Sequence, residues 1–197
     1  MSPMNETYQL LRTLTSPIVA ITTKRGDELN GMIANSAMRA SLSDVKARVS
    51  VYVHKFNHSH DTIFQSGEFV LHVLDKTQLE TVYSLGFSSR RDGDKIQAVS
   101  HTIGKLGLPV LNGCYCYFEC RVVNVMDTGA STLFLGAVEH AGSTGGTEIM
   151  TPEYLRDSMS EEKKHAYLAG LAEAQAYSTE MADSMEAVVW RGLAGGE

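Results

Sequence analysis

The amino-acid sequence predicts a mainly β fold with peripheral helices: a closed or nearly closed antiparallel barrel, Greek-key in its connections, followed by a C-terminal amphipathic helix. Three observations carry that expectation. Short apolar runs of strand length recur along the chain, joined by tight turns with only brief helical segments between them. The run Arg48 to His54 alternates without exception, with Val49, Val51 and Val53 on one face and Arg48, Ser50, Tyr52 and His54 on the other, as a half-buried strand does. Asp127-Thr128-Gly129 is a hairpin turn between two further runs, Cys114 to Val122 and Thr132 to His140.

The 197 residues are 43% hydrophobic and 20% charged, which suits one globular domain with a substantial core. A formal charge of -6, with Lys and Arg scattered, argues against a nucleic-acid partner, because phosphate neutralisation needs concentrated positive charge. The opening MSPMNETYQLL lacks a basic segment ahead of an apolar run, and no stretch approaches bilayer-spanning length. The expectation is a soluble, cytoplasmic protein without membrane contact. Cys114, Cys116 and Cys120 form an odd set in one cluster, a poor basis for a secreted disulfide framework.

Taken in order, Asn5 is placed to cap a short helix holding Tyr8, Leu10, Leu11 and Leu14, and Pro17 releases the chain into a strand from Ile18 to Thr23. Arg25-Gly26-Asp27 is a turn, and Leu29 to Ser36 returns as a strand. After Arg48 to His54, a helical turn is expected from Thr62, stopped by Ser66-Gly67. Phe69 to Leu74 reads as a strand and Lys76 to Leu85 as a helix whose stripe of Leu79, Val82 and Tyr83 packs on the core. Gly86 to Lys95 is a polar surface loop of the kind that carries function, and Ile96 to Pro109 has little regular pattern. The even-numbered residues Cys114, Cys116, Phe118, Cys120 and Val122 share one strand face. Gly142 to Gly146 is expected to separate a barrel domain, residues 1-150, from a helical extension, 151-197. Ser160 with Glu161 and Glu162 starts a helix whose stripe of Tyr167, Leu168, Leu171, Ala174, Ser178, Met181, Met185 and Val188 must cover something.

The chemistry concentrates between Asn30 and Ile63. From Leu29 to Ser36, Gly31, Ala34, Asn35 and Ser36 interrupt the large apolar residues, so this run offers short side chains and accessible backbone amides against which a flat ligand can lie. Beyond Arg48 to His54 comes the corner Lys55-Phe56-Asn57-His58-Ser59-His60-Asp61. Amides at a helix start, joined by Lys55 and the side chains of Asn57 and Ser59, make a seat for a phosphate.

Asn30-Gly31-Met32-Ile33-Ala34-Asn35-Ser36, Ala40-Ser41, the corner Lys55 to Asp61 and Gly86-Phe87-Ser88-Ser89-Arg90-Arg91-Asp92-Gly93-Asp94-Lys95 together resemble the flavin reductase-like family, in order and in spacing. The likeness is greatest to the branch that includes flavoredoxin and the flavin reductase module of high-molecular-weight rubredoxins. The resemblance implies an FMN-binding split β-barrel, a homodimer, and hydride transfer from NAD(P)H to the flavin, with electrons passing to a downstream acceptor such as a rubredoxin-like or flavodiiron-like protein. It implies that Ile33, Ala34, Asn35 and Ser36 line a ring slot, with Ala40, Ser41 and His54 beside it. Lys55, Asn57, Ser59 and His60 would take the phosphate, and Phe87, Arg91 and Lys95 would approach from the loop. The flavin carries the hard chemistry in such proteins, so no catalytic acid or base is assigned. One departure stands out: many relatives have a His in a run ending in Thr-Leu-Phe, where this chain has Ser131. That substitution keeps open an electron carrier reduced by a protein partner. A barrel that binds another small ligand, or none, is the remaining alternative.

Other chemistries are weaker. The three cysteines have Phe118 among them on the same face and no fourth ligand nearby, which favours core packing over metal. His54, His58, His60 and Asp61 lack zinc-protease spacing, and Gly142 to Gly146 is followed by Thr147-Glu148 where a phosphate-binding loop has Gly-Lys. No strand leads into a Rossmann glycine fingerprint. Ser36, Ser41 and Ser59 lack a nucleophile elbow and a His or Asp partner at recognisable spacing, so donating hydrogen bonds is the better role for them.

Overall fold

The computed structural model describes residues 6–43, 45–87 and 95–191. Helix α1 (Glu6–Leu11) leads to a hairpin of β1 (Val19–Arg25) and β2 (Glu28–Ala34). Its turn needs a left-handed residue, which Gly26 supplies with φ +59°. Then come β3 (Ala37–Arg39), β4 (Arg48–His54), α2 (His58–Ser66), β5 (Glu68–Val73) and α3 (Leu79–Gly86). A small hairpin, β6 (His101–Ile103) and β7 (Pro109–Leu111), precedes the long pair β8 (Cys116–Asp127) and β9 (Ser131–Gly142). Helices α4 (Pro152–Ser158) and α5 (Glu161–Glu180) follow.

Seven strands form one sheet in the order β2-β1-β5-β8-β9-β4-β3, and every neighbouring pair is antiparallel. β2 and β3 occupy opposite edges of that order, yet only Asn35 and Ser36 separate them in the chain. The three residue steps from Ala34 to Ala37 reach only about 10 Å. The sheet must therefore curl until its edges meet, and the chain itself makes the seam.

Curling divides the apolar side chains between two layers. Val19, Ile21, Met32, Val51, Val53, Phe69 and Phe134 face the inside, where Ile63 of α2 and Trp190 join them. Ile18, Ala20, Leu74, Leu85, Ile96, Leu111 and Met150 pack outside, beneath α3 and α4. β1 is thus buried on both faces, a continuous apolar run rather than an alternating one. β4 keeps its alternation, with Val51 and Val53 fully buried and Tyr52 43% exposed.

Several expectations shift. α2 starts four residues before Thr62, and β6–β7 occupies a stretch with little sequence pattern. In β8 the even-numbered face holds through Val122, but register shifts between Glu119 and Cys120 and between Val122 and Asn124 move burial to Val125 and leave Met126 exposed. Cys114 lies before the strand rather than in it. The cysteines are free thiols: burial pushes Cys114 up to about 11, and raises Cys116 and Cys120 as well. Protonated thiols are poor metal ligands. Leu10, Leu11 and Leu14 are exposed, and the proposed cap Asn5 lies outside the described residues.

Gly142 to Gly146 is tied to the barrel by hydrogen bonds to Cys114. The Cys114 amide donates to Thr144 Oγ1 at 2.8 Å, and the Gly146 amide to the Cys114 carbonyl at 3.0 Å. α5 starts as expected, with Ser160 Oγ accepting from the Lys163 amide, but it ends at Glu180, so Met185 and Val188 continue the stripe outside the helix. No residue of α5 is buried. Beyond it the chain straps back across the barrel, where Trp190 Nε1 donates to the Val122 carbonyl at 3.0 Å. Among the described residues no helix is long and apolar enough to cross a membrane.

Candidate functional site

The seam between β2 and β3 changes partners within three residues. Ala34 still pairs with Val19 of β1, whereas Ala37 already pairs with Val51 of β4. Ser16 fixes the crossing: its amide donates to the Asn35 carbonyl at 3.1 Å and its hydroxyl accepts from the Ala37 amide at 3.2 Å. Ser36 Oγ donates to the Tyr52 carbonyl at 2.8 Å. With its main chain held this way, Asn35 presents an exposed side chain.

Ser36 lies opposite Tyr52, so His54 stands two residues further along β4 on the same outward face. On the other side, the Cβ that Gly86 lacks would come within 3.2 Å of Ile33, which keeps α3 close. Ile33, Ser36, Tyr52 and His54 therefore border a strip on the outside of the barrel. Phe87 and Tyr83 stand at its α3 end, 5.6 Å apart and edge to face. At the other end, His54 packs against Tyr177 of α5 at 5.0 Å, and Phe56 against the same ring at 6.1 Å.

The basic corner follows directly. Asn57 precedes the first turn of α2; its side chain makes no capping bond, and its carbonyl accepts from the His60 amide at 2.9 Å. Ser59 is buried at 3% exposure. His60 bridges two groups, with Nδ1 2.9 Å from Asp61 Oδ1 and Nε2 2.8 Å from Thr132 Oγ1. Lys55 Nζ is 2.7 Å from Asp127 Oδ1, whose side chain is only 6% exposed. Burial alone would push Asp127 up, but the Lys55 hydrogen bond, the amides of Gly129 and Glu186 and the Lys55 charge outweigh it, so its carboxyl lies below the usual range. A cavity of about 290 Å³ opens among these groups, lined by Lys55, His60, Asp61, Phe64, Asp127 and Thr132.

The remaining residues singled out in the sequence are dispersed. Ser41 Oγ donates to the Lys46 carbonyl at 2.9 Å and accepts from the Ser43 amide at 3.0 Å, while the Ala40 amide donates to the Arg48 carbonyl. Both lie at the far end of β4 from Lys55, roughly 20 Å away for a seven-residue strand. Lys95 Nζ donates to the Leu85 carbonyl at 3.5 Å, at the end of α3. Arg91 lies outside the described residues. Burial lowers the His54 pKa, offset in part by the Ala174 carbonyl and reinforced by the charge of His60. Among the described residues no group of His, Cys, Asp or Glu is arranged to hold a metal.

Sequence reasoning missed Asp127, Thr132, Phe56 and Tyr177 at this site. Asp127 and Thr132 stand next to Lys55 and His60 only because β9 pairs with β4, and nothing local in the chain announces that pairing. Tyr52 was already visible on the outward face of the alternating strand.

A flat heterocycle with an anionic tail fits what is present. The seam offers short side chains and an exposed Asn35 side chain, and the positive end of α2 stands beside the Lys55 ammonium. The fold is that of a small antiparallel barrel of the split-barrel class, with a candidate ligand strip and a candidate anion corner near one seam. The chain matches the flavin reductase-like domain over residues 11–159 and belongs to that family. It is 31% identical over 146 residues to a high molecular weight rubredoxin of Moorella thermoacetica, covering 73% of this chain and 63% of that protein. It is 29% identical over 133 residues to a ferric-chelate reductase (NAD(P)H) of Archaeoglobus fulgidus, covering 66% and 78%. Among solved structures, flavoredoxin from Methanosarcina acetivorans superposes with a TM-score of 0.59 at 21% identity, over 66% of this chain and 69% of that one. The match thus spans less than two thirds of the rubredoxin relative's length.

Proposed function

We propose that the protein is an FMN-binding oxidoreductase that accepts hydride from NAD(P)H and passes electrons to a downstream acceptor. The observation that carries the proposal is the seam: Ile33, Asn35 and Ser36 lie along an outward edge beside the strand leading into the α2 start, while Ala34, expected to line the slot as well, packs on the inner core instead. When bound there, the flavin would supply the two-electron chemistry. The chain's own residues bind and orient it. Asn35 hydrogen-bonds the ring edge, Ser36 and the seam hold the ring against the barrel, and the start of α2 with Lys55, Asn57, Ser59 and His60 receives the phosphate. Lys55 exchanges part of its bond with Asp127 for the phosphate. The same reading places the barrel domain in residues 1-150, makes the chain a cytoplasmic homodimer, and gives Met38, Leu42 and Val45, all at least 70% exposed beside the β3 edge, as a surface for the second copy. Anaerobic stopped-flow mixing of the FMN-loaded protein with NADH and with NADPH tests the activity; rapid bleaching of the flavin band by at least one donor is expected.

Ser131 favours a second reading. It pairs across the strands with His54, so the position where many relatives carry His holds a hydroxyl beside an imidazole already engaged with Ser178 at 3.0 Å. A flavin that both nicotinamides leave oxidised, but that a reduced rubredoxin-like or flavodiiron-like partner bleaches, would identify an electron carrier.

Two substitutions probe the ligand contacts. Asn35→Asp sets a carboxylate against the electron-rich ring edge and is expected to weaken FMN by roughly 2 kcal/mol, about thirtyfold, in a fluorescence titration. Lys55→Ala is expected to weaken FMN by about 1–2 kcal/mol while leaving riboflavin nearly unchanged. Equal losses for both ligands would remove Lys55 from the phosphate seat.

A further inference from the structure

Helix α5 has twenty residues and buries none of them, although a helix of that length normally draws its stability from a packed face. It is nonetheless held at two places. Near its start, Lys163 Nζ lies 5.0 Å from the centre of the Tyr83 ring and 5.9 Å from that of Phe87. Near its end, Ser178 Oγ lies 3.0 Å from His54 Nε2, and Tyr177 packs on His54. Lys163, Tyr167, Leu171, Ala174 and Ser178 recur at steps of four, four, three and four, so both anchors and the residues between them share one face. The anchors are roughly 22 Å apart along the helix.

Those anchors stand at the two ends of the outward strip. Phe87 follows Gly86, which is packed on Ile33, and His54 stands two residues beyond Tyr52, the partner of Ser36. The line between the two anchors therefore passes above Ile33 to Ser36, and along it Tyr167 is 39% exposed while Leu171 is only partly buried. Close packing on the barrel would have buried both fully, and no residue of α5 is buried.

We infer that the inward face of α5, centred on Leu171, is the second wall of the ring slot and that its occupant is the flat aromatic ring of the flavin. This inference rests on the FMN-binding reading above. A ring lying between seam and helix buries both faces, so the flavin is retained from one turnover to the next instead of being exchanged as a substrate. A stacked nicotinamide and α5 then compete for the same ring face, and reduction by a nicotinamide requires the helix to lift.

The test is FMN affinity by fluorescence titration together with iodide quenching of the bound flavin, in the full-length protein and three variants. Leu171→Asp is expected to weaken FMN tenfold or more and to raise iodide quenching. Leu171→Ala, which preserves helix formation, is expected to weaken it threefold or more. Ala169→Asp, on the opposite face of α5, is expected to stay within twofold. If FMN binds the unmodified protein and both Leu171 variants bind it within twofold, the second wall is refuted while flavin binding stands. If Leu171→Asp instead converts a dimer to a monomer in light scattering with FMN affinity unchanged, the face belongs to a second copy and the inference fails. An unmodified protein that does not bind FMN overturns both readings.

Discussion

Replacing Asp75 with alanine is expected to destabilise the protein by roughly 3–5 kcal/mol in urea unfolding. Asp75 is 3% exposed, and four donors converge on its carboxylate. The amides of Thr147 and Glu148 reach Oδ2 at 2.7 Å each, while the Thr77 amide and hydroxyl reach Oδ1 at 2.9 and 2.7 Å. Two of the four come from a stretch more than seventy residues away, so this side chain ties the chain after β9 to the end of β5. Burial by itself pushes the carboxyl up, but the bonds from Glu148, Thr77 and Thr147 overcome it and leave Asp75 far below the usual carboxylate range. A folded-state value below the unfolded one means the stabilisation is complete above about pH 4 and disappears as pH falls through the folded value. Alanine would leave the donors without an acceptor in a buried site. A loss under about 1 kcal/mol would show that water or a neighbour replaces the carboxylate.

His72 is expected to give the fold a second acid sensitivity, beginning at a higher pH. It is fully buried, and that burial drives its pKa down to about 3, with only partial relief from the Ala20 carbonyl. Nδ1 donates to that carbonyl at 3.2 Å and Nε2 accepts from the Leu111 amide at 3.1 Å, so the ring is neutral and both nitrogens are occupied. The unfolded chain takes up a proton near pH 6.5 and the folded chain does not. Stability is therefore full above about 6.5 and declines toward 3, with a limiting slope of about 1.4 kcal/mol per pH unit. Urea midpoints at pH 7, 6 and 5 measure that slope. The variant His72→Asn, which keeps a donor and an acceptor but does not titrate there, is expected to flatten it; an unchanged slope would move the effect to another histidine.

Local chemistry made much of this architecture readable in advance. Strict alternation marked β4, Gly67 marked the end of α2, and Ser160 with two glutamates marked the start of α5. The unread parts depend on contacts distant in sequence. β6 and β7 are three residues each, too short for any periodicity to register, and exist because they pair with each other. The α5 stripe ran on past Met181 because periodicity does not sense where a helix stops, and those later apolar residues lie in the strap that carries Trp190 into the core. At the candidate site, the small residues at Ile33 to Ser36 were visible, but the seam they form follows from sheet order. Lys55 looked like a free cation in sequence; folding places Asp127 against it. Ser41 looked near Ser36 along the chain, and an extended backbone carries it to the other end of β4.

The proposed activity depends on the seam and the α2 start holding one flavin between them. Titrating FMN into the purified protein while recording flavin fluorescence tests it most directly. Saturable quenching that ends at one FMN per chain is expected; fluorescence that simply adds with each aliquot would rule out flavin binding at the seam.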